Sequence, residues 1–266
     1  MTSGKGKVGL VTGASSGIGR ATAIALAREG WSLALTARRE EELQATLEMC
    51  KAASATPFSG IVVKGDVTDE AFVKELFSTT VKHFGRLDML FNNAGVSAPP
   101  TLTEDLELET FARVMNTNVI GPFLCTREAM RIFRSQKPKG GRIINNGSLS
   151  AHTPRPHSIA YTTSKHAISG LTKSIALDGR RDEITCTQVD IGNVYTSLST
   201  GGSVGGDTGS DDKVLHIQPY GQKALEAIFD VVHVASQIAS VAALPNSVTV
   251  LWLNVMATDM PFVGRG

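Results

Sequence analysis

The sequence predicts an α/β fold in a single domain, with a doubly wound parallel sheet of about seven strands and helices on both faces. The first supporting observation is that short aliphatic or β-branched runs alternate with longer stretches of helical period. Such alternation favours parallel strands, because each parallel crossover requires a connection long enough to form a helix. The second is the length of 266 residues, which one α/β domain can fill. The third is that no composition shift or fixed-period repeat divides the chain, so one domain over residues 1–266 is expected.

The predicted strands and helices follow one another regularly. Seven apolar runs predict buried strands at residues 7–12, 32–36, 59–64, 87–91, 142–145, 185–189 and 248–253. Six segments with apolar residues at helical spacing predict helices at residues 17–29, 40–53, 69–84, 106–135, 159–181 and 231–243. A glycine- and aspartate-rich segment at residues 201–212 interrupts this order. It has too few apolar residues to offset its ordering entropy, which predicts a mobile loop, either a surface insertion or a substrate lid.

The composition excludes several classes of protein. Lysine and arginine number 26 against 25 acidic residues, so the formal net charge of +1 indicates neither nucleic acid nor an anionic membrane as a partner. With 42% hydrophobic residues, the chain is also unlike a disordered segment or a collagen-like repeat. These numbers leave a globular protein that acts on something other than a polyanion.

The cysteines bear on the compartment and on metal binding. Cys50, Cys125 and Cys186 lie far apart and form no cluster with histidine, which is typical of free thiols in a reducing compartment. We therefore expect no metal site. The early apolar run is too brief for a signal peptide, and no later run approaches the roughly 18 apolar residues of a membrane span. A soluble, cytoplasmic protein without a membrane partner is expected.

A glycine-rich turn follows the first predicted strand and opens the first predicted helix. Its cofactor-binding candidates are Gly13, Ser15, Ser16, Gly17, Ile18 and Gly19. Glycine lets the backbone approach a pyrophosphate closely, and the helix N-terminus offers unpaired N–H groups to the anion. A strand before the turn and a helix after it favour a Rossmann-type dinucleotide fold over a tight turn that binds nothing.

The second predicted strand ends at Ala37, followed by Arg38 and Arg39. In dinucleotide folds an acid near this point holds the adenosine ribose, whereas a base accommodates a 2′-phosphate. Because two arginines and no carboxylate stand here, the sequence favours NADP(H), and NAD(H) is possible. The alternative is that both arginines are solvated residues at the start of a helix. Asp66 ends the third predicted strand and is expected to accept a hydrogen bond from the adenine amine. Val67, beside it, belongs to the same cofactor-binding set.

Five short motifs occur in a specific order along the chain. They are TGASSGIG at residues 12–19, NNAG at 92–95, NVIG at 118–121, Ser148, and YTTSK at 161–165. On these motifs the chain resembles the compact, single-domain branch of the short-chain dehydrogenase/reductase family, from Thr12 to about Thr196. The resemblance implies an oxidoreductase that interconverts an alcohol and a ketone or aldehyde by hydride transfer with NAD(P).

The chemistry of the last motif can also be argued from its residues. Tyr161 and Lys165 are four apart on a predicted helix, so their side chains share one face. A neighbouring ammonium favours the phenolate, so Tyr161 can give or take the substrate proton. Ser148, at the end of the fifth predicted strand, can donate a hydrogen bond to the substrate oxygen. A tyrosine and a lysine four apart are common on helices, so taken alone this pair would indicate a structural contact; Ser148, Asn118 and the glycine-rich turn in the same chain favour the catalytic interpretation.

The resemblance assigns further roles. Lys165 also holds the nicotinamide ribose, and Asn118 anchors a water in a proton relay. Asn92 mainly stabilises the sheet, whereas the small residues Ala94 and Gly95 let the cofactor lie close to the backbone. The remaining cofactor-binding candidates are Asn93, Ala94, Gly95, Val194 and Thr196.

The chain departs from the family pattern in two places. Ile191-Gly192 replaces the usual Pro-Gly after the sixth predicted strand, which leaves that turn less restricted in φ. Residues 253–262 replace the common Asp-Gly-Gly ending, and their apolar Met260 and Phe262 suggest either a tail that packs against a partner subunit or a frayed terminus.

Several alternatives remain open at this stage. His152 and His157 lie between Ser148 and Tyr161. Each is either a second acid/base or specificity residue, or a solvated loop residue. By resemblance, the long helices predict a homodimer or homotetramer. A non-catalytic dinucleotide sensor or scaffold is the rival from another class, and an epimerase or dehydratase is the rival enzyme. The substrate beyond a small alcohol or carbonyl compound is not encoded in a recognisable motif.

Overall fold

A computed structural model of the protein describes residues 4–196 and 213–263. Seven parallel strands form one sheet in the order β3-β2-β1-β4-β5-β6-β9, and β7 pairs with β8 in a separate antiparallel hairpin. The strands are β1 Val8–Thr12, β2 Ser32–Ala37, β3 Gly60–Lys64, β4 Met89–Asn92, β5 Gly141–Asn146, β6 Ile184–Ile191, β7 Lys213–Ile217, β8 Lys223–Ala227 and β9 Trp252–Val255. The helices are α1 Gly17–Arg28, α2 Glu40–Ala53, α3 Glu70–Phe84, α4 Leu108–Met115, α5 Gly121–Ser135, α6 Ile159–Asp178 and α7 Val231–Ala243. The predicted doubly wound α/β class is confirmed.

Two apolar clusters cover the two faces of the sheet. One packs α1, α2 and α7 against residues such as Val11 and Leu35, and the other packs α3, α5 and α6 against residues such as Leu10 and Leu90. Adjacent residues of one strand enter opposite clusters because side chains alternate between the faces of a sheet. The strand order reverses between β1 and β4, and ligands of open α/β sheets bind at the carboxyl ends of the strands beside such a reversal.

The predicted helix at 106–135 is interrupted in the structure. A single 3₁₀ turn at Thr103–Asp105 precedes α4, and a π-helical turn at Asn116–Ile120 separates α4 from α5. Pro122 has no N–H to donate to the carbonyl of Asn118. Instead the N–H of Gly121 donates to the carbonyl of Asn116, five residues earlier. The prediction of one uninterrupted helix was therefore wrong at the turn that carries Asn118.

The last strand of the sheet lies later than predicted, at Trp252–Val255 in place of 248–253. The cause is Arg142 on β5, whose side chain is buried among backbone carbonyls. Its Nη2 donates to the carbonyl oxygens of Leu244, Pro245 and Val248 at 3.0–3.3 Å. Because these contacts hold the connection to the arginine, pairing with β6 begins only at Trp252.

The β7–β8 hairpin was not predicted. Its turn contains Pro219 and Gly221, and the carbonyl of Gln218 accepts a hydrogen bond from the N–H of Gly221 at 2.9 Å. Proline and glycine are recognisable turn residues, so this signal was available in the sequence. The predicted loop at residues 201–212 lies outside the described residues. Across the described ranges, no helix is both long and apolar enough to span a bilayer.

Candidate active site

The glycine-rich turn is fastened to the segment that follows β4. Thr12 Oγ1 accepts hydrogen bonds from the backbone N–H groups of Asn93 (2.9 Å) and Ala94 (3.0 Å), and Asn93 Nδ2 donates to the carbonyl of Thr12 at 2.9 Å. Gly13 has a φ of 65°, and a Cβ at this position would lie 2.8 Å from the Cα of Ala94. Glycine is therefore required where the two segments cross, and Asn93 acts on the turn through its side chain.

The start of α1 fits an anionic ligand. Its N-cap, Ser16, makes no capping hydrogen bond with its side chain, and its first turn contains no acidic residue. By contrast, the carboxylates of Asp69 and Asp230 cap α3 and α7. The Ser16 side chain thus does not cap the N–H groups at the start of α1, and such groups can bind an anion such as a pyrophosphate. Gly17, Ile18 and Gly19 form this first turn, with Ile18 packed against the core.

Two arginines lie at the rim of the same turn. Arg39 Nη2 donates to the hydroxyl oxygens of Ser15 (3.1 Å) and Ser16 (2.8 Å). Arg38 is exposed and forms a long ion pair of 3.8 Å with the Asp66 carboxylate. The other oxygen of Asp66 accepts from the N–H and the hydroxyl of Thr68, and Val67 is buried. Asp66 is thus oriented within the loop after β3, and the predicted adenosine side carries Arg38 and Arg39, paired with Asp66 and Glu42 respectively.

Asn118 is buried on the π-helical turn between α4 and α5. Its Nδ2 donates to the carbonyl of Val96 at 2.9 Å and to the hydroxyl of Ser164 at 3.0 Å, and its Oδ1 accepts from the N–H of Val96 at 2.8 Å. The side chain thereby connects the loop after β4 to α6. Single π turns are frequent at functional sites, because they reorient one side chain within a helix.

Tyr161 and Lys165 share one face of α6, as predicted from their spacing. The Lys165 ammonium nitrogen lies 5.4 Å from the centre of the Tyr161 ring. Lys165 is buried, and its Nζ donates to the carbonyl of Asn146 at 2.7 Å. Asn146 in turn donates from Nδ2 to Oδ1 of Asn93 at 2.9 Å. These contacts run from the tyrosine to the glycine-rich turn, so the two predicted sites are adjacent.

Ser148 follows β5 and is nearly fully buried. Its Oγ accepts a hydrogen bond from the N–H of Ser150 at 3.1 Å, and its own N–H donates to Asp190 Oδ1 at 2.9 Å. Within the described ranges its hydroxyl hydrogen has no acceptor, so the group can donate to a substrate oxygen. Asp190, on β6, is completely buried and was not predicted as a site residue.

The turn after β6 completes this edge of the sheet. Val194 is buried and bridges to Phe229, and a Cβ at Gly17 would lie 3.3 Å from the Thr196 methyl carbon. Although Ile191 replaces the usual proline, the N–H of Gly192 donates to the carbonyl of Val255 at 2.9 Å. The turn after β6 is thus held by β9 and by the start of α1. This brings Val194 and Thr196 near the glycine-rich turn.

The segment at residues 253–262 packs on its own chain. Met260 is buried, and its Sδ accepts from the N–H of Asn193 at 3.4 Å. Phe262 contacts the His152 ring edge to face, with ring centres 6.2 Å apart. Of the two alternatives for this segment, the frayed terminus is contradicted for Met260 and Phe262. Both contacts lie on loops of the predicted site.

A buried polar cluster beside the site was missed by sequence reasoning. The Glu226 carboxylate on β8 accepts hydrogen bonds from Arg155, Asn193 and Gln218, at 2.9 Å for the last two. It connects the loop after β5, the turn after β6 and the hairpin. No sequence signal marked Glu226, because alternation in so short a strand does not distinguish a buried carboxylate from an exposed one.

A small cleft beside Tyr161 lies between residues 98–106 and residues 157–161. His157 borders it with a φ of 60°, a conformation that non-glycine residues adopt rarely, and its carbonyl accepts from the N–H of Thr101 at 3.0 Å. Within the described part of the chain, no three histidine, cysteine or acidic side chains are grouped to hold a metal. The cleft adjoins the Tyr161 side chain, the predicted proton donor.

Comparison with known proteins identifies the family. The family model for short chain dehydrogenases matches residues 7–202. A 3beta-hydroxysteroid dehydrogenase of Mediterraneibacter gnavus is 37% identical over 193 residues, covering 73% of this chain and 68% of that protein. A glucose 1-dehydrogenase of Gluconobacter oxydans is 38% identical over 194 residues, covering 73% and 71%.

Solved structures show the same architecture. A 3-ketoacyl-(acyl-carrier-protein) reductase of Brucella melitensis, complexed with NADH, superposes with a TM-score of 0.80 at 25% identity and covers 96% of this chain and 98% of its own. An alcohol dehydrogenase of Thermococcus sibiricus, complexed with 5-hydroxy-NADP, has the same fold with a TM-score of 0.81 at 23% identity, covering 96% and 97%. The chain therefore belongs to the short-chain dehydrogenase/reductase family of NAD(P)-dependent oxidoreductases.

Proposed function

We propose that the protein reversibly reduces a ketone or aldehyde to an alcohol with NADP(H), using Ser148, Tyr161, Lys165 and Asn118. The observation that carries this proposal is the sequence of contacts from Tyr161 through Lys165 and Asn146 to the glycine-rich turn. These contacts bring Tyr161 and Lys165 close to the glycine-rich turn, which supports a proton-transfer pair beside a bound dinucleotide. A protein that only binds a dinucleotide has no need of such a pair.

Each of the four residues has a distinct role in this proposal. Ser148 donates its hydroxyl hydrogen to the substrate oxygen and stabilises the charge that develops there. Tyr161 gives its phenolic proton to that oxygen during reduction and takes it back during oxidation. Lys165 lies next to the ring and favours the phenolate after the proton has left. Asn118, which holds the loop after β4 against α6, keeps a proton path open beside the lysine.

The bound nicotinamide cofactor supplies or accepts the hydride. The start of α1 takes its pyrophosphate, and the segment at residues 93–95 borders it. Asp66 and Val67 would contact its adenine half, and Val194 and Thr196 its nicotinamide half. Lys165 would hold the nicotinamide ribose.

The preference for NADP(H) over NAD(H) rests on Arg38 and Arg39. Arg39 contacts two serine hydroxyls of the glycine-rich turn and pairs with Glu42 at 3.2 Å, and the exposed Arg38 faces Asp66 just after β3. The position before them is Ala37, so no carboxylate ends β2 to repel a 2′-phosphate. NAD(H) would lack the group that these arginines are placed to bind.

We also infer a homodimer or homotetramer and a cytoplasmic location. The oligomer is supported by apolar side chains that α4, α5 and α6 leave exposed, namely Leu108, Phe123 and Ile159. Multi-angle light scattering of the purified protein measures the mass, and a monomer at micromolar concentration would contradict the oligomer. Fluorescence microscopy of a tagged copy tests the location.

The activity is tested by following NADPH absorbance with a panel of carbonyl substrates. Tyr161→Phe removes the phenolic proton and should lower kcat by a factor of about a hundred or more, with NADPH affinity within a few-fold. Tyr220→Phe, at the exposed hairpin turn, is the control and should leave kcat unchanged. Near-native turnover by Tyr161→Phe would overturn the assigned acid/base.

The same assay separates the rival functions. Stoichiometric NADPH consumption identifies a reductase, whereas an epimerase or dehydratase regenerates its cofactor in each cycle. NADPH binding without turnover of any alcohol or carbonyl compound would favour the non-catalytic sensor.

A further inference from the structure

The Asp190 carboxylate is a buried junction beside Ser148. Its Oδ1 accepts hydrogen bonds from the backbone N–H of Ser148 at 2.9 Å and from Gln188 Nε2 at 2.7 Å. Its Oδ2 lies 2.8 Å from Nε2 of His152. A Cβ on Gly147 would overlap Asp190 Oδ1, so glycine at this position makes room for the carboxylate. One acidic group therefore positions both the main chain of Ser148 and the ring of His152.

The hydrogen bonds of Asp190 determine the tautomer of His152. An ionised carboxylate only accepts hydrogen bonds, so Nε2 of His152 must carry the proton and donate it. In the neutral ring, Nδ1 then keeps its lone pair and accepts hydrogen bonds. Among the described residues, no hydrogen-bond partner faces Nδ1.

The position of His152 argues for contact with substrate. The residue ends the 3₁₀ turn that begins just after Ser148, and its backbone N–H donates to the carbonyl of Leu149 at 3.0 Å. Its side chain is 41% exposed, whereas Asp190 is completely buried. Phe262 packs edge to face against the ring. The ring is thus held by Asp190 and Phe262, and it shares the Asp190 carboxylate with the main chain of Ser148, the residue proposed to donate to the substrate oxygen.

We propose that His152 is a specificity residue whose Nδ1 accepts a hydrogen bond from a substrate hydroxyl adjacent to the reacting carbonyl. Asp190 is the positioning residue that fixes the tautomer and the ring orientation. The substrate class is therefore an α-hydroxy ketone or α-hydroxy aldehyde, or the corresponding vicinal diol in the reverse direction. This inference rests on the proposed carbonyl reduction and narrows its substrate.

The test uses matched pairs such as cyclohexanone and its α-hydroxy derivative. Binding of each ketone to the protein saturated with NADPH is measured by titration calorimetry, and turnover is followed in parallel. The native protein should bind the hydroxylated member more tightly by about three- to tenfold, as expected for one hydrogen bond. The binding measurement does not depend on turnover, so a failure of catalysis is distinguishable from a failure of this contact.

Three variants separate substrate contact from structural support. His152→Phe keeps the aromatic contact and should abolish the preference, largely through KM. In His152→Gln the amide NH2 group can still donate to Asp190, and the amide oxygen can accept a hydrogen bond from the substrate. This variant should retain part of the preference for the hydroxylated ketone. The single variant His152→Phe leaves the buried Asp190 carboxylate without its histidine partner, which can destabilise the protein. The double variant His152→Phe/Asp190→Asn removes that charge as well, so the substrate preference can still be measured in a folded protein. His83→Phe, on α3, is the matched control.

Two results would overturn the proposal. One is a native protein that shows no preference for the hydroxylated ketone, including no detectable binding of it. The other is that His152→Phe weakens binding of the plain ketone and of its α-hydroxy derivative by the same factor. A histidine with a purely structural role would give that result.

Discussion

The side-chain amide of Asn118 pairs with the main chain of Val96 in both directions, with Nδ2 donating to the carbonyl at 2.9 Å and Oδ1 accepting from the N–H at 2.8 Å. This pair holds the loop after β4 against the π-helical turn, 22 residues along the chain. Since a third bond reaches Ser164 on α6, the same amide adjoins the helix of Tyr161 and Lys165.

Asn118→Ala should reduce both stability and turnover. It leaves two main-chain groups of the half-buried Val96 without their partner, and such a group costs about 1–3 kcal/mol where it is fully buried. We expect a lower melting temperature by calorimetry and at least a tenfold drop in kcat. Asn116→Ala, exposed on the same turn, is the control and should change neither quantity. Equal effects of the two substitutions would contradict the assigned role.

Arg38→Ala and Arg39→Ala should each reduce the preference for NADPH. A charge-assisted hydrogen bond to a phosphate contributes about 1.5–3 kcal/mol, so NADPH affinity should fall by about ten- to a hundredfold. NADH affinity should stay within a few-fold, as measured by titration of cofactor fluorescence. Arg131→Ala, exposed on α5, is the matched control. Tighter binding of NADH than of NADPH by the native protein would overturn the NADP(H) proposal.

Gly147→Ala should disturb the junction at Asp190. The added methyl group overlaps Asp190 Oδ1, and overpacking of a buried site costs about 1–3 kcal/mol. We expect lower stability in urea unfolding and a lower kcat, because the neighbouring Ser148 shifts. Gly170→Ala is the comparison, since a Cβ there meets nothing within 4 Å and should be neutral or stabilising. A Gly147→Ala protein as stable and active as the native one would show that Asp190 moves freely.

The three cysteines should be unreactive in the folded protein. Burial raises the pKa of Cys50, Cys125 and Cys186 to about 12 from an unfolded value of 9.0. At pH 8 the native thiols stay protonated, so dithiobis(nitrobenzoic acid) should label them only after unfolding, with three thiols per chain. Fast labelling of the native protein would contradict this.

The same shifts make stability depend on pH. Between about pH 9 and pH 12 the unfolded thiols lose their protons while the folded thiols keep them. The unfolded state is then favoured, so the contribution of the protonated thiols to stability falls as pH rises. Urea unfolding at pH 8 and pH 10 should show a lower free energy of unfolding at the higher value. Replacing Cys50 with Ala should reduce that difference.

The sequence by itself determined the doubly wound sheet, the glycine-rich turn and the spacing of Tyr161 and Lys165. These features are local: periodicity, glycine at a turn and a four-residue helical spacing are encoded by neighbouring residues. For the same reason six of the seven predicted strands match the observed ones to within two residues at each end. β9 begins four residues late, where the buried Arg142 binds the carbonyls that precede it, and the β7–β8 hairpin was not predicted.

The tertiary structure alone decided which distant groups share the site. Asp190 reaches Ser148 across 42 residues, Glu226 reaches Arg155 across 71, and Met260 reaches Asn193 across 67. Each contact depends on which strand ends and loops the sheet order brings together, and a pattern within one segment carries no information about its distant partner. A buried carboxylate such as Asp190 stands in a strand of mixed apolar and polar residues, where nothing in the sequence marks it as buried. Its position beside Ser148 and His152 becomes visible only when β5 and β6 are paired.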